Sequence, residues 1–485
     1  MVSEEIRTRY KAVIGLEVHA QMLTHSKAYS SDPNVYGEAP NTLVSPVSLG
    51  HPGSLPVMNK KTIEFAIKLG IACGCDITEK QHFARKNYFY PDLPKGYQIT
   101  QDKTPICTGG KIIIRDENGE EKEIGLTRIH MEEDAGKSIH DMDIYDTLVD
   151  LNRAGVPLLE IVSEPDLSSA QEAYNYLTEV RKLVRYLEIC DGNMEEGSLR
   201  CDANISVMRV DANAFGTKVE VKNMNSIRNV QRAIDFEINR QIALIETGEP
   251  IAQETRAFDA LKGVTVSLRT KEAANDYRYF PEPDLPPITV TQEDIAQVKT
   301  LMPPLPRALF LKYTNELQLS AYDAYNLTDS KPIALYFEEV LKHTSHVKNA
   351  ANWIMGEVKS HLNETGTSIE RFPIEPMRLA GLINLIASGA ISHTSAAQKV
   401  FPAMLSEKKD AETIAKALDV LQSNDASLVN EIIDAVLSQH AEEVSRYRAG
   451  EKQLLGFLMG QVMRQSGGKI DPKTGNQVLR EKLEG

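Results

Sequence analysis

A proline-dense segment, DYRYFPEPDLPPI from Asp276 to Ile288, separates two halves of the chain that have unlike patterns. Pro281, Pro283, Pro286 and Pro287 each lack an amide donor and fix φ, so the stretch can be neither a helix nor a central strand. It predicts an extended boundary. Before it, short alternating runs are mixed with longer helical ones at 61–72, 168–188 and 226–247, and glycine and proline at Gly50–Gly53, Pro91–Gly96 and Gly109–Gly110 mark the loops between them. Ser168 and Ser169, with Glu172 close behind, predict an N-terminal cap for the second of these helices. Beyond the prolines, residues 293–485 are helical in pattern nearly throughout. A break falls at Phe401–Asp410, where Pro402 and the polar run Ser406–Asp410 interrupt the period. The predicted class is α+β: a large mixed, mainly antiparallel domain over 1–290, an all-helical domain over 291–404 and a small helical tail domain over 405–485. A chain of 485 residues has room for two or three domains.

The formal charge of −14 excludes a protein that grips nucleic acid over its whole surface, but not one with a local basic patch. No apolar run approaches the roughly 20 residues that cross a bilayer, and the first residues have no apolar signal core, so a cytoplasmic protein is expected. The five cysteines, Cys73, Cys75, Cys107, Cys190 and Cys201, are scattered, which suits a reducing compartment better than a disulfide framework. Cys73 and Cys75 lack a second pair at zinc spacing, so no structural zinc is expected there.

The chemistry-bearing signal lies in three strand-like segments with polar faces. In AVIGLEVHAQM, alternation sets Glu17, His19 and Gln21 opposite Leu16, Val18 and Ala20. In LRCDANISV, Arg200, Asp202, Asn204 and Ser206 share a face. In KVEVK, Lys218, Glu220 and Lys222 do the same. One polar strand face is ordinarily just solvated. Three carrying carboxylate, imidazole and ammonium groups would, as neighbours, form a floor of oxygen and nitrogen ligands suited to a hard cation such as Mg²⁺ and to phosphate. HMEEDAGK (His130, Glu132, Glu133, Asp134), PLLEIVSEPD (Glu160, Glu164, Asp166) and DGNMEEGSLR (Asp191, Glu195, Glu196) read as loops that add carboxylates. RKNYFYPDLPKGYQ interleaves Arg85, Lys86 and Lys95 with aromatic residues. No phosphate-binding P-loop, dinucleotide glycine fingerprint, kinase catalytic loop or nucleophile elbow is present.

These segments, together with APNTLVSPVSLGHPGSLPV, LVDLNRAGVPLLEIVSEPD, EVKNMNS, QETRAFD and the tail GFLMGQVMRQSGGKIDPKTGNQVLREKL, closely resemble the GatB/GatE family of the tRNA-dependent amidotransferases, from about residue 10 to 483. The resemblance implies a catalytic cradle domain, a helical domain and a YqeY-like, tRNA-binding tail. It also implies a reaction. ATP would phosphorylate the side-chain carboxylate of glutamate or aspartate mischarged on tRNA(Gln) or tRNA(Asn), and ammonia would displace the phosphate. A separate glutaminase subunit would supply the ammonia, with a small third protein completing a heterotrimer. By the same resemblance Glu17, His19, Glu133, Glu160 and Glu220 are the expected metal or catalytic residues, with Asp202 and Glu132 as weaker candidates. Arg200, Lys218 and Lys222 would contact phosphate, and ATP and Mg²⁺ are the implied substrate and ion. Many members of the family hold a zinc ion through paired cysteines; here the corresponding positions look like Ser30, Ser31, Ser45 and Ser48, so no zinc is expected. Arg446, Arg448, Lys452, Arg464, Lys469, Lys473 and Arg480 make the tail the expected tRNA contact, with Gly467 and Gly468 allowing close backbone approach.

Overall fold

The computed structural model describes residues 2–116, 118–140, 142–270, 277–422, 426–467, 469–470 and 472–484; Asp276 and Gly468 lie outside them. The chain forms two compact units, Met1–Pro306 and Arg307–Gly485. The elements that frame the first are, in chain order, β1 (Tyr10–Gln21), α1 (Lys60–Cys73), β2 (Ala84–Asn87), β3 (Tyr97–Thr100), β4 (Glu121–Glu133), β5 (Pro157–Ser163), α2 (Ala170–Tyr186), β6 (Leu199–Arg209), β7 (Val219–Lys222), α3 (Ile227–Thr247), β8 (Glu254–Asp259) and β9 (Val264–Thr270). Ten strands make one sheet in the order β9-β8-β7-β6-β1-β5-β4, continued by Cys107–Thr108 and Asp76–Ile77, with Lys111–Arg115 also paired to β4. Its pairings are antiparallel except that of β7 with β8, which is parallel. A parallel pair needs a crossover, and α3 provides it.

Period-two alternation gives the sheet one dry face. Leu16, Val18 and Ala20 of β1, Leu159 and Ile161 of β5, Cys201, Ala203 and Ile205 of β6, and Val219 and Val221 of β7 are all buried. Tyr176, Leu177, Val180 and Val184 of α2 and Val230, Ile234 and Ile238 of α3 belong to the same core. A one-residue slip of β1 would bury Glu17 and His19 in that core, so the hydrophobic pattern also fixes where the polar face points. The cap of α2 forms as its sequence predicts. Ser169 Oγ accepts from the Glu172 amide at 3.1 Å, while the Glu172 carboxylate accepts from the Ser168 amide at 2.7 Å. Ser169→Ala should therefore cost about 1 kcal/mol of unfolding free energy, measurable by urea denaturation.

The described part of the proline segment, from Tyr277 on, is strand-paired at Phe280–Pro281 and Ile288–Thr289 with a turn at Pro283–Asp284 between them, and it is laid along the first unit. Phe280–Pro281 pairs with β2, and Ile288–Thr289 pairs with Lys80–Gln81. Arg85 donates to Glu282 at 2.8 Å and to Asp284 at 2.9 Å. The helix Gln292–Thr300, opened by a capping box between Thr291 and Asp294, adds Ile295 and Val298 to the same core. The compact unit therefore extends to Pro306, past the last proline of the segment.

The second unit is helical among its described residues. At the Ser406–Asp410 break, Arg378 donates to the carbonyls of Lys409 at 3.0 Å and Met404 at 3.2 Å, closing the turn between the helices Phe401–Ser406 and Ala411–Ala417. Val429, Ile433, Val436, Leu458, Val462 and Leu479 form a separate small core near the C-terminus. Among the described residues no helix is long and apolar enough to cross a membrane.

Candidate active site

The wet face of the sheet carries the site. Strand pairing sets Glu17 opposite Asp202, His19 opposite Arg200 and Glu160, Glu160 opposite His130, and Asn204 opposite Glu220. Two groups result. In the first, one ligand atom each from His19, Glu132 and Glu160 lies within 4.8 Å of the others; in the second the same holds for Glu17, Asp202 and Glu220. Glu17 and His19 are two residues apart on β1, so the groups sit roughly 7 Å from one another at strand rise.

The first group is held by imidazole. His19 Nε2 lies 3.3 Å from a Glu160 oxygen and 3.8 Å from Glu132. His130 Nε2 lies 3.3 Å from Glu160 and 3.6 Å from Glu132, and its Nδ1 is buried without a partner among the described residues. Burial disfavours a charged ring at both histidines. The two carboxylates outweigh it, raising His19 and pushing His130 up to about 9. The same contacts hold Glu160 well below the usual carboxylate range against its own burial. Thr100 Oγ1 donates to Glu132 at 3.3 Å.

The second group is oriented by neutral donors and one ammonium. Asn204 Nδ2 donates to Glu17 at 2.8 Å, and the buried Thr255 Oγ1 donates to Glu220 at 2.8 Å. Lys222 pairs with Asp202 and lies 3.1 Å from Glu220. Three carboxylates this close repel by about 3 kcal/mol per pair at an effective dielectric near 20, so the group needs positive charge. An oxygen-rich set of this kind fits a hard divalent cation, and the His/Glu/Glu set fits one with room for phosphate or water.

Glu133 is not part of either group. HMEE is not a loop but the end of β4, which stops just before Asp134, and PLLEIVS is β5. Along a strand, neighbours point to opposite faces, so Glu132 joins His19 and Glu133 turns away. Glu133 pairs instead with Lys95 and accepts from the Ile99 amide at 2.9 Å. Arg200 reaches the floor but donates to the buried Asp134 at 2.9 Å, which also takes Gln21 Nε2 at 2.9 Å and lies 3.6 Å from Arg153. Lys218 precedes β7 and is exposed. Glu164 and Asp166 bind Thr127 and the Gly125 amide, and Asp191 caps its own turn through the Asn193 amide. In the basic–aromatic segment, Arg85 holds the proline strap and stacks 4.2 Å from the Tyr97 ring. Lys86 lies 5.0 Å from the Tyr277 ring, where the charges of Glu132 and Glu160 outweigh its burial and raise its pKa.

The family model for the GatB/GatE catalytic domain matches residues 12–296, and that for the GatB domain matches 335–483. The chain belongs to the GatB/GatE family. It is similar to the B-type component of the aspartyl/glutamyl-tRNA(Asn/Gln) amidotransferase of Geotalea daltonii, 51% identical over 98% of this chain and 100% of that protein. It is also similar to the component of the same name in Thermosynechococcus vestitus, 49% identical over 98% and 96% respectively, and to that of Geobacter sulfurreducens, 49% identical over 98% and 100%.

Within this GatB/GatE member, the loop expected to lack zinc is gathered around an acid. The buried Asp32 carboxylate accepts from Ser48 Oγ and, at 3.0 Å, from the Ser45 amide; Ser30 Oγ lies 3.2 Å from Ser48 Oγ. The fourth member of the cluster is thus Asp32, whereas Ser31 is exposed. Burial pushes the nearby Lys27 ammonium down to about 8, and it donates to the Leu43 carbonyl at 2.7 Å. In the tail, Arg446 is engaged by Glu451 at 2.7 Å, and Lys469 is engaged by Asp419. Arg464, Lys473 and Arg480 are exposed, and Gly467, at φ +60°, ends the helix Leu454–Gln465.

Proposed function

We propose that the chain is the ATP-dependent, tRNA-acting member of an amidotransferase complex that converts Glu-tRNA(Gln), Asp-tRNA(Asn) or both to the amidated forms. The observation that carries this reading is the gathering of His19, Glu132 and Glu160 beside Glu17, Asp202 and Glu220 on one sheet face. The names of the relatives support the same assignment.

A carboxylate resists attack by ammonia because oxide is a poor leaving group. Transfer of the γ-phosphoryl of ATP to one carboxylate oxygen gives an acyl phosphate and ADP. Ammonia then forms the C–N bond while phosphate departs with the C–O electrons, and the ammonia nitrogen sheds a proton. Phosphoryl transfer rests on positioning and charge neutralisation. Mg²⁺ at the two acidic groups would supply that neutralisation. Glu17, Asp202 and Glu220, with His19, Glu132 and Glu160, would hold the ions. Arg200, kept in place by Asp134, would face the phosphates with the side-chain surface it leaves open, 31% of the total. A glutaminase partner would supply ammonia, a small third protein would complete the heterotrimer, and the exposed basic residues of the tail would meet tRNA phosphates.

The test is purification with these partner proteins, followed by incubation with Glu-tRNA(Gln) and Asp-tRNA(Asn) separately. Amide should form with ATP and Mg²⁺ and stop when either is withheld. Amide formation that ignores both would overturn the proposal.

A further inference from the structure

Toward one edge of the same sheet, three of the five cysteines meet, and all five are free thiols. Cys73 is the last residue of α1. Gly74, at φ +68°, ends that helix, and the Cys75 amide donates to the Gly70 carbonyl at 2.9 Å. The strand Asp76–Ile77 then pairs with Cys107–Thr108, with Ile77 opposite Cys107. Period two puts Cys75 on the same side as Ile77 and diagonal to Cys107. The Cys75 thiol is hydrogen-bonded with those of both Cys107 and Cys73. Two glycines make the room for this. A Cβ at Gly110 would lie 2.5 Å from Cys75 Sγ, and one at Gly70 would lie 2.5 Å from Cys107 Sγ.

The three sulfurs are not equivalent. Cys73 and Cys107 are 3% and 0% exposed, whereas Cys75 is half-buried. Hydrogen bonds with Cys107 and Cys73 lower the Cys75 pKa against its own burial, and the same contacts, with burial, raise Cys73 and Cys107. The thiolate is the nucleophilic form, so the sulfur that solvent reaches is also the reactive one. Cys190 and Cys201 are buried, and burial raises both.

We propose that Cys75 and Cys107 form a peroxide-reactive thiol pair, in which Cys75 attacks the oxidant and Cys107 resolves the product as a disulfide. The Cys75 thiolate forms an S–O bond with hydrogen peroxide as the O–O bond breaks, and the departing hydroxide takes a proton to leave as water. Cys107 sulfur then attacks the Cys75 sulfenic sulfur. The S–S bond forms, the S–O bond breaks, and hydroxide leaves as water with the Cys107 proton. Two thiols and one peroxide give one disulfide and two waters. The oxidant has to reach only Cys75. A small thiol such as glutathione reverses the bond by exchange. Cys107 lies opposite Ile129 of β4, so the disulfide would form beside the residue that precedes His130. This pair is independent of the amidation reading.

The full chain, reduced and freed of reductant, is exposed to hydrogen peroxide for timed intervals, alkylated and digested with trypsin without reduction. Cys73 and Cys75 share the fragment 69–80, and Cys107 lies in 104–111. The two fragments should appear joined, two hydrogens lighter than their sum, and dithiothreitol should separate them. Cys75 should be oxidised at least ~10-fold faster than Cys190, as a thiolate in reach of solvent requires. In Cys107→Ser, a dimedone adduct of the sulfenic acid should accumulate on Cys75. In Cys75→Ser and Cys75→Ala, fragment 104–111 should stay reduced over the same intervals. Oxidation of Cys75 no faster than that of Cys190 overturns the proposal. So does a bond closed within 69–80 alone, which would make Cys73 the resolving thiol. The wild-type map decides both points without any variant having to fold.

Discussion

Replacing Glu160 with glutamine is expected to slow ATP-dependent amide formation at least ~1000-fold, about 4 kcal/mol of transition-state stabilisation, while tRNA affinity stays within about twofold. Glutamine keeps the volume and one acceptor oxygen but loses the charge. That charge is shared by His19 and His130, each 3.3 Å away, and it belongs to the His19/Glu132/Glu160 group, one of the two proposed to hold a divalent ion. Uncharged, the side chain would hold neither the imidazoles nor a cation in register, and a phosphoryl group would meet a floor short of positive charge. The assay takes ammonium chloride as donor, so that failure cannot be laid to the ammonia-producing partner. A variant within about tenfold of wild type would remove Glu160 from the reaction. Glu133→Gln is the informative contrast. It severs the pair with Lys95 on the other side of β4 and should leave Mn²⁺ binding at the His19 group intact.

Asp134→Ala should lower the unfolding free energy by roughly 3 kcal/mol, the lower end of the range for breaking a buried ion pair because Arg200 and Arg153 keep some contact with water. The pH dependence gives the cause. Burial alone would raise the Asp134 pKa, but the charges of Arg200 and Arg153 and hydrogen bonds from Arg200 and Gln21 outweigh it and hold the carboxyl below its ordinary value. A depressed carboxyl contributes stability that is fully present above the unfolded pKa and lost as pH falls through the folded one. The gap between wild type and variant in urea midpoints should therefore stay constant from pH 7 to about 5 and close only below about 4. A gap that closes already near neutrality would assign the effect to another group. In the same variant Arg200 loses its anchor, so KM for ATP should rise.

How much of this is legible in the residues differs from strand to strand. β1, β6 and β7 alternate cleanly because one face is dry and the other wet, and that alone puts Glu17, His19, Asp202 and Glu220 on a common side. The end of β4 is hidden because both of its faces are covered: His130, Met131, Glu132 and Glu133 are all buried. Polar groups on both sides erase the in–out rhythm, so HMEED reads as an acidic loop, and nothing in it favours Glu132 over Glu133. A strand assignment separates the two at once. Pairing partners are out of reach for a different reason. Lys222 with Asp202, Lys95 with Glu133 and Arg446 with Glu451 are made by tertiary proximity or local geometry that residue type does not encode. The proline segment announces its own conformation, but the Arg85–Glu282 contact that keeps it on the first unit spans 197 residues.

The place of β1 in the sheet bears on how the polypeptide emerges from the ribosome. It is made before both of its neighbours, Pro157–Ser163 and Leu199–Arg209. At roughly 10 residues per second it waits on the order of 15–20 s with Leu16, Val18 and Ala20 uncovered. Translation speed or a holding chaperone should therefore influence the folding yield of this unit.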